Sequence, residues 1–260
     1  MTDDDPAAEA AISEHALGPH ELGTAPRAMP VVVVLGTLVV SNVMANEVLP
    51  SWAYVPWNCG VAVVLVVTAM RLDGCSADDL GLATRRIPSG LRWGGVVSAA
   101  VLAGYLAALA IPATRDLFTD ERADVGLFDM LVRTLVMIPL GTVLMEEIAF
   151  RGVLPAMFRR RMGATGRGAL RADVAAALLF GLWHVLPSLD LNDANPVLRD
   201  LLPGPLGQIA TIAGGVVATA AAGMGLTWLR NRSDSLVAPA MLHCSTNSIG
   251  YVLAWFVQRG

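Results

Sequence analysis

The side chains that can do chemistry in this chain stand inside its apolar segments, where charge is costly. They fall into three groups: Met145-Glu146-Glu147-Ile148-Ala149-Phe150-Arg151, Phe180-Gly181-Leu182-Trp183-His184, and His243-Cys244-Ser245-Thr246-Asn247. An ionisable residue within a membrane helix costs several kcal/mol unless it is paired or faces a wet cavity, so each group is a functional candidate. Helical spacing sorts them. Glu147 and Arg151 lie at i, i+4 with the acid N-terminal, the better orientation for an ion pair. Glu146 is rotated by about 100° from its neighbour and so remains available as a base. Phe180 with His184, and His243 with Asn247, share helix faces in the same way.

These residue types suit hydrolysis of an amide. Water attacking a carbonyl carbon needs a base, and Glu146 together with His184 can position and deprotonate it. The tetrahedral intermediate needs donors for its oxyanion, and His243 with the Asn247 amide can supply them. A bundle-locking ion pair, or a proton or ion path, would use similar buried charges. Three polar groups at one depth on three segments weigh against both. Asp129 and Arg133, also at i, i+4, read as an ion pair at the outer boundary. Cys59, Cys75 and Cys244 have no CxxC spacing, which argues against a thiolate zinc site or a disulfide framework. Cys244 points about 100° away from His243 and reads as a membrane-packed thiol.

The elements that must carry these groups are long apolar segments. Of the 260 residues 55% are hydrophobic and 15% charged, with a mean hydropathy of +0.58; soluble domains carry about 25% charged residues. Residues 30–49, 53–70, 93–112, about 128–158, 172–187, 206–229 and 234–257 are candidate membrane helices; a bilayer requires roughly 20 apolar residues, and the second and fifth segments fall short of that. The expected fold is an all-α, polytopic transmembrane bundle of about seven helices over residues 29–260. Residues 1–28 are acidic and lack apolar periodicity, and read as a disordered cytoplasmic tail. Asp3, Asp4 and Asp5 argue against a signal peptide. Net charge is −4, and no nucleic-acid partner is expected.

Charge in the loops orients the bundle. Arg71, Arg85, Arg86 and Arg92 follow the second segment; Arg159, Arg160, Arg161, Arg167 and Arg171 follow the fourth; Arg230 and Arg232 follow the sixth. The intervening loops are acidic. By the positive-inside rule the N-terminus is cytoplasmic and the C-terminus external. Depth can then be compared: Glu146 lies 13 residues before Arg159, His184 13 after Arg171, and His243 and Asn247 lie 11 and 15 after Arg232. At 1.5 Å per residue these offsets are about 20, 20, 17 and 22 Å, so the four groups can converge at one level. Gly90, Gly94 and the small-residue run from Ala213 to Gly225 permit close helix approach.

At these residues the chain resembles the CAAX-processing and bacteriocin-processing (CPBP, or Abi) family of intramembrane proteases. The family pattern EExxxR, FxxxH, HxxxN is matched in order by Glu146-Glu147…Arg151, Phe180…His184 and His243…Asn247. The flanks Phe150-Arg151-Gly152-Val153-Leu154 and Ser235-Leu236-Val237-Ala238-Pro239 are similar as well, and the resemblance spans roughly residues 125–255. It implies a membrane endopeptidase in which Glu146 and His184 activate water, His243 and Asn247 stabilise the oxyanion, and Glu147, Arg151 and Phe180 support the site. Its substrate would be a membrane-anchored protein or peptide, and its place the bacterial cell membrane. Eukaryotic members trim three residues from prenylated CAAX proteins; bacterial members are linked to bacteriocin maturation and self-immunity. A non-catalytic immunity or scaffold protein of the same fold is the alternative. Glu146, His184 and His243 also form a donor set for zinc. With no HExxH in the chain, a metal-free water is the preferred expectation. Oligomeric state is not legible.

Overall fold

A computed structural model describes residues 28–115, 118–191 and 195–259; the expected N-terminal tail lies outside them apart from Ala28. Seven long helices and no strand occur among the described residues. They are α1 (Met29–Val48), α2 (Ser51–Leu72), α3 (Thr84–Ala110), α4 (Leu127–Met162), α5 (Gly166–Trp183) and α6 (Gly204–Ser233). The last, α7, runs through Val237–Cys244, Ser245–Ile249 and Gly250–Val257. Proline opens α1 and α6, where its missing N–H would have had no helical partner. Gly163, at φ 113°, ends α4, and Asp234, at φ 53°, turns the chain from α6 into α7.

Two boundaries differ from the sequence expectation and both bear on the site. The fifth segment begins at Gly166 and ends at Trp183, so His184 sits just past the last turn. Pro187, in the short 3-10 turn Leu186–Ser188, cannot continue an α-helix. The fourth runs for 36 residues. It widens into π-type turns at Arg133–Val143 and Ile148–Val153, on either side of the α-turn Leu144–Glu147. Pro139 removes one backbone donor there, a known cause of such local rearrangement.

Five helices (α1, α2, α3, α4 and α6) are long and apolar enough to cross a membrane. The two that fall short carry the polar residues of interest. Arg167, Arg171 and Asp173 load the start of α5, and the run from His243 to Ser248 loads the middle of α7. Helix α5 lies along α6, and α3 along α7, at close range. A Cβ on Gly181 would stand 2.6 Å from the Val216 carbonyl oxygen, and one on Gly94 2.6 Å from the Met241 sulfur. A side chain at either position would press into the facing helix, so glycine permits both close approaches.

The loops gather at two ends, grouped as the charge alternation expects. At one end Asp73 takes Arg160 and Arg161, and Asp173 accepts from Arg159 (2.6 Å) and Asn231 (3.0 Å). Arg230 donates there to the carbonyls of Asp78 (3.1 Å) and Asp79 (2.5 Å). At the other end Tyr251 donates to the Arg122 carbonyl (2.7 Å), Trp255 to that of Val125 (2.8 Å) and Asn195 to that of Thr119 (3.2 Å).

Candidate active site

Two adjacent carboxylates on the α-turn of α4 form the centre. Glu147 is 1% exposed and Glu146 5%, a burial that requires partners. Arg151, one turn further on, places Nη1 3.2 Å from Glu147 Oε1 with both side chains almost fully buried. Its guanidinium also lies 3.8 Å over the Phe180 ring of α5, a desolvated cation–π contact. The expected ion pair is therefore formed, and Phe180 serves as its floor.

The expectation that Glu146 points away from this pair needs amending. His243 of α7 stands between the two carboxylates, with Nδ1 2.8 Å from Glu147 Oε1 and Nε2 3.8 Å from Glu146 Oε2. A carboxylate only accepts, so Nδ1 carries the hydrogen and Nε2 is turned toward Glu146. The other oxygen of Glu146 accepts the indole N–H of Trp183 at 2.9 Å. Glu146 Oε2 has no hydrogen-bond partner among the described residues.

His184 is half-buried at the end of α5. Its Nδ1 lies 2.8 Å from the Phe180 carbonyl oxygen, and its ring meets the Phe180 ring edge-on with centroids 4.5 Å apart. A backbone carbonyl also only accepts, so Nε2 is left with its lone pair. Asn247 occupies the π-type turn of α7. Its carbonyl oxygen accepts from Thr246 Oγ1 (3.4 Å), leaving the amide nitrogen as its donor. Glu146, His184, His243 and Asn247 all line one cavity of about 500 Å³. All four candidates are thus brought together. Asp129 and Arg133 are not: Arg133 lies over the Tyr251 ring at 5.9 Å, and no ion pair among the described residues joins it to Asp129. The i, i+4 backbone geometry is kept, since the Arg133 N–H bonds the Asp129 carbonyl, but the Arg133 side chain lies over Tyr251 of α7.

Several lining groups were not singled out in the sequence. Trp183 escaped notice because it is neutral and follows an apolar run. Tyr54 and Asn58 of α2 and Asn46 of α1 also reach the cavity. Tyr54 shares a hydrogen bond of 3.0 Å with Thr142 of α4. Asn42 of α1 donates to the Trp183 carbonyl at 3.1 Å, tying the first helix to the end of α5. Asparagines inside apolar segments were the available signal, since an unpaired amide in hydrocarbon is costly.

Among the described residues no group of three or more His, Cys, Asp or Glu side chains is arranged to hold a metal ion. The Glu146, His184, His243 set is therefore not drawn together as zinc ligands.

A helical bundle with a buried glutamate–histidine–arginine cluster beside a cavity defines the class: a helical membrane protein with a buried polar site. Residues 128–249 match the family model described as type II CAAX prenyl endopeptidase Rce1-like, which bears out the resemblance read from the three motifs. No curated protein and no solved structure matches the chain.

Proposed function

We propose that the chain is an intramembrane endopeptidase that hydrolyses a peptide bond in a membrane-anchored protein or peptide. The observation that carries this reading is the convergence of Glu146, His184, His243 and Asn247 on one cavity, with Glu146 Oε2 buried and without a hydrogen-bond partner among the described residues. A water between Glu146 and His184 Nε2 loses a proton to the carboxylate as its oxygen bonds to the carbonyl carbon. The oxyanion takes hydrogen bonds from the Asn247 amide and from His243 when its Nε2 is protonated. The proton then passes to the departing amine and the C–N bond breaks. Glu147, Arg151 and Phe180 hold His243 and the α4 turn in place, and no metal takes part. All seven helices cross the bilayer, with the arginine-rich end in the cytoplasm of a bacterial cell.

The test compares protein ends in the membrane proteome of cells carrying the wild-type chain or Glu146→Ala at equal abundance. Cleavage products confined to wild type, and undiminished in membranes treated with a zinc chelator, support the reading. Identical ends, with any phenotype rescued equally by both chains, would leave a non-catalytic scaffold as the better account. Products lost on chelation and restored by zinc would overturn the metal-free step.

A further inference from the structure

The cavity that Glu146 lines is also lined by Asn58 of α2, which is 1% exposed. Its Oδ1 accepts from Ser41 Oγ of α1 at 3.4 Å, and Ser41 in turn accepts the Trp57 indole N–H at 3.1 Å. The amide nitrogen of Asn58 has no partner among the described residues. A carboxamide carries two N–H donors, and leaving them unpaired in a buried place is costly. A tie between α1 and α2 needs only the oxygen, so the nitrogen is spare. Helix register sets its depth. Tyr54 meets Thr142 at 3.0 Å, and Asp73, just past the end of α2, accepts from Arg161 Nη1 at 3.0 Å. Both pairs are 88 positions apart, so α2 and α4 run side by side in one direction. The same offset sets Asn58 against Glu146, each four residues and about 6 Å beyond the Tyr54–Thr142 contact. The backbones are close at that contact, where a Cβ on Gly141 would stand 2.7 Å from the Tyr54 ring.

We propose that Asn58 is a further residue of the hydrolytic site, whose amide N–H holds the attacking water in place. The inference rests on the endopeptidase reading, but it concerns the binding of water and can fail separately. A water has two hydrogens and two lone pairs. Its hydrogens go to the Glu146 carboxylate and to His184 Nε2, whose ring has its other nitrogen on the Phe180 carbonyl. Asn58 donates to one lone pair, and the other is left for the carbonyl carbon. A buried water is typically held by about three such partners. As the free pair forms the C–O bond, one proton passes to Glu146. Asn58 keeps its own hydrogens and stabilises the charge that builds on the attacking oxygen. The donor lies on α2, outside residues 128–249 that match the family model.

The test has a structural and a kinetic arm, both on the full chain. High-resolution crystal structures of wild type and Asn58→Leu, grown from a lipid mesophase, should differ by one ordered water. In wild type it touches Asn58 Nδ2, Glu146 and His184; in Asn58→Leu it is lost while the helices stay in place. For kinetics the substrate is a peptide spanning a cleavage site found in the comparison of membrane-protein ends. In Asn58→Leu, kcat should fall by about 10–100-fold with KM within about twofold of wild type. Ser41→Ala breaks the tie between α1 and α2 but keeps the amide, so its kcat should fall far less. Equal losses of kcat and thermal midpoint in Ser41→Ala and Asn58→Leu would mean that only the tie matters, and would overturn the proposal. So would an unchanged kcat in Asn58→Leu. The wild-type structure decides even if Asn58→Leu fails to accumulate: no water on Asn58 Nδ2 overturns the proposal as well. A water held by Asn58 and Glu146 in a chain that cleaves no membrane protein would sink the endopeptidase reading and leave the hydration site standing.

Discussion

Trp183 shows how a neutral residue can govern a charged one. Its indole is a donor only, and when buried it needs an acceptor; here the acceptor is Glu146 Oε1 at 2.9 Å. That bond leaves Oε2 as the oxygen without a hydrogen-bond partner among the described residues. Trp183→Phe keeps a ring against Phe150, whose centroid is 5.7 Å away, but deletes the donor. A hydrogen bond to a charged group contributes about 1.5–3 kcal/mol, so kcat should fall by about 10–100-fold. KM for a cleaved peptide should change little, because Glu146 orientation and not peptide contact is lost. Steady-state kinetics on reconstituted protein checks this, and an unchanged kcat would remove Trp183 from the site. The residues proposed to react were legible in the sequence because each is an expensive group in hydrocarbon. Trp183 and Tyr54 were not, since in an apolar segment an aromatic ring announces burial and gives no sign of what its polar tip will meet.

At the scale of elements, the Glu147–Arg151 pair joins three helices. Arg151 of α4 lies against Phe180 of α5, and Glu147 holds His243 of α7. Removing one partner of a buried pair costs about 3–5 kcal/mol, because the other charge is left uncompensated. Arg151→Met should therefore lower the thermal midpoint in detergent sharply. Glu147→Gln/Arg151→Met should recover much of that loss, since a glutamine oxygen still accepts from His243 and no lone charge remains. Arg151→Lys keeps the charge but forfeits the flat contact with Phe180, and should fall between wild type and Arg151→Met. If the double variant is no more stable than Arg151→Met, the pair is not the staple described. Existence of the helices was legible from apolar length, and their ends less so. The polar start of α5, Gly166-Arg167-Gly168, gave no apolar signal. The spacing argument succeeded for Glu147 with Arg151 and failed for Asp129 with Arg133, where the helical register is kept but the arginine lies over Tyr251 of α7, a tertiary contact that spacing along one helix does not carry.

Across the whole molecule, the cavity is completed by helices outside the matched segment: Asn46, Tyr54 and Asn58 come from α1 and α2, while the family match covers residues 128–249. The core motifs therefore supply the groups proposed to react, and the first two helices supply part of the cavity wall. Such enclosure works only if the bundle sits in the bilayer as the two charged ends imply, and this can be tested by cysteine labelling. Seven crossings place residues 167 and 259 on opposite faces of the membrane. A membrane-impermeant maleimide applied to intact cells should label Arg259→Cys and spare Arg167→Cys until the membrane is opened. The native Cys75 does not confuse the result. It is 4% exposed, and burial, then the nearby Asp73 charge, push its thiol up to about 12. Only the thiolate reacts, so Cys75 should stay unmodified near neutral pH even in opened membranes and become reactive once the chain is denatured. Labelling of residues 167 and 259 from the same face would mean that α5 and α7 do not both cross, and the depth agreement of Glu146, His184 and His243 would then need another cause.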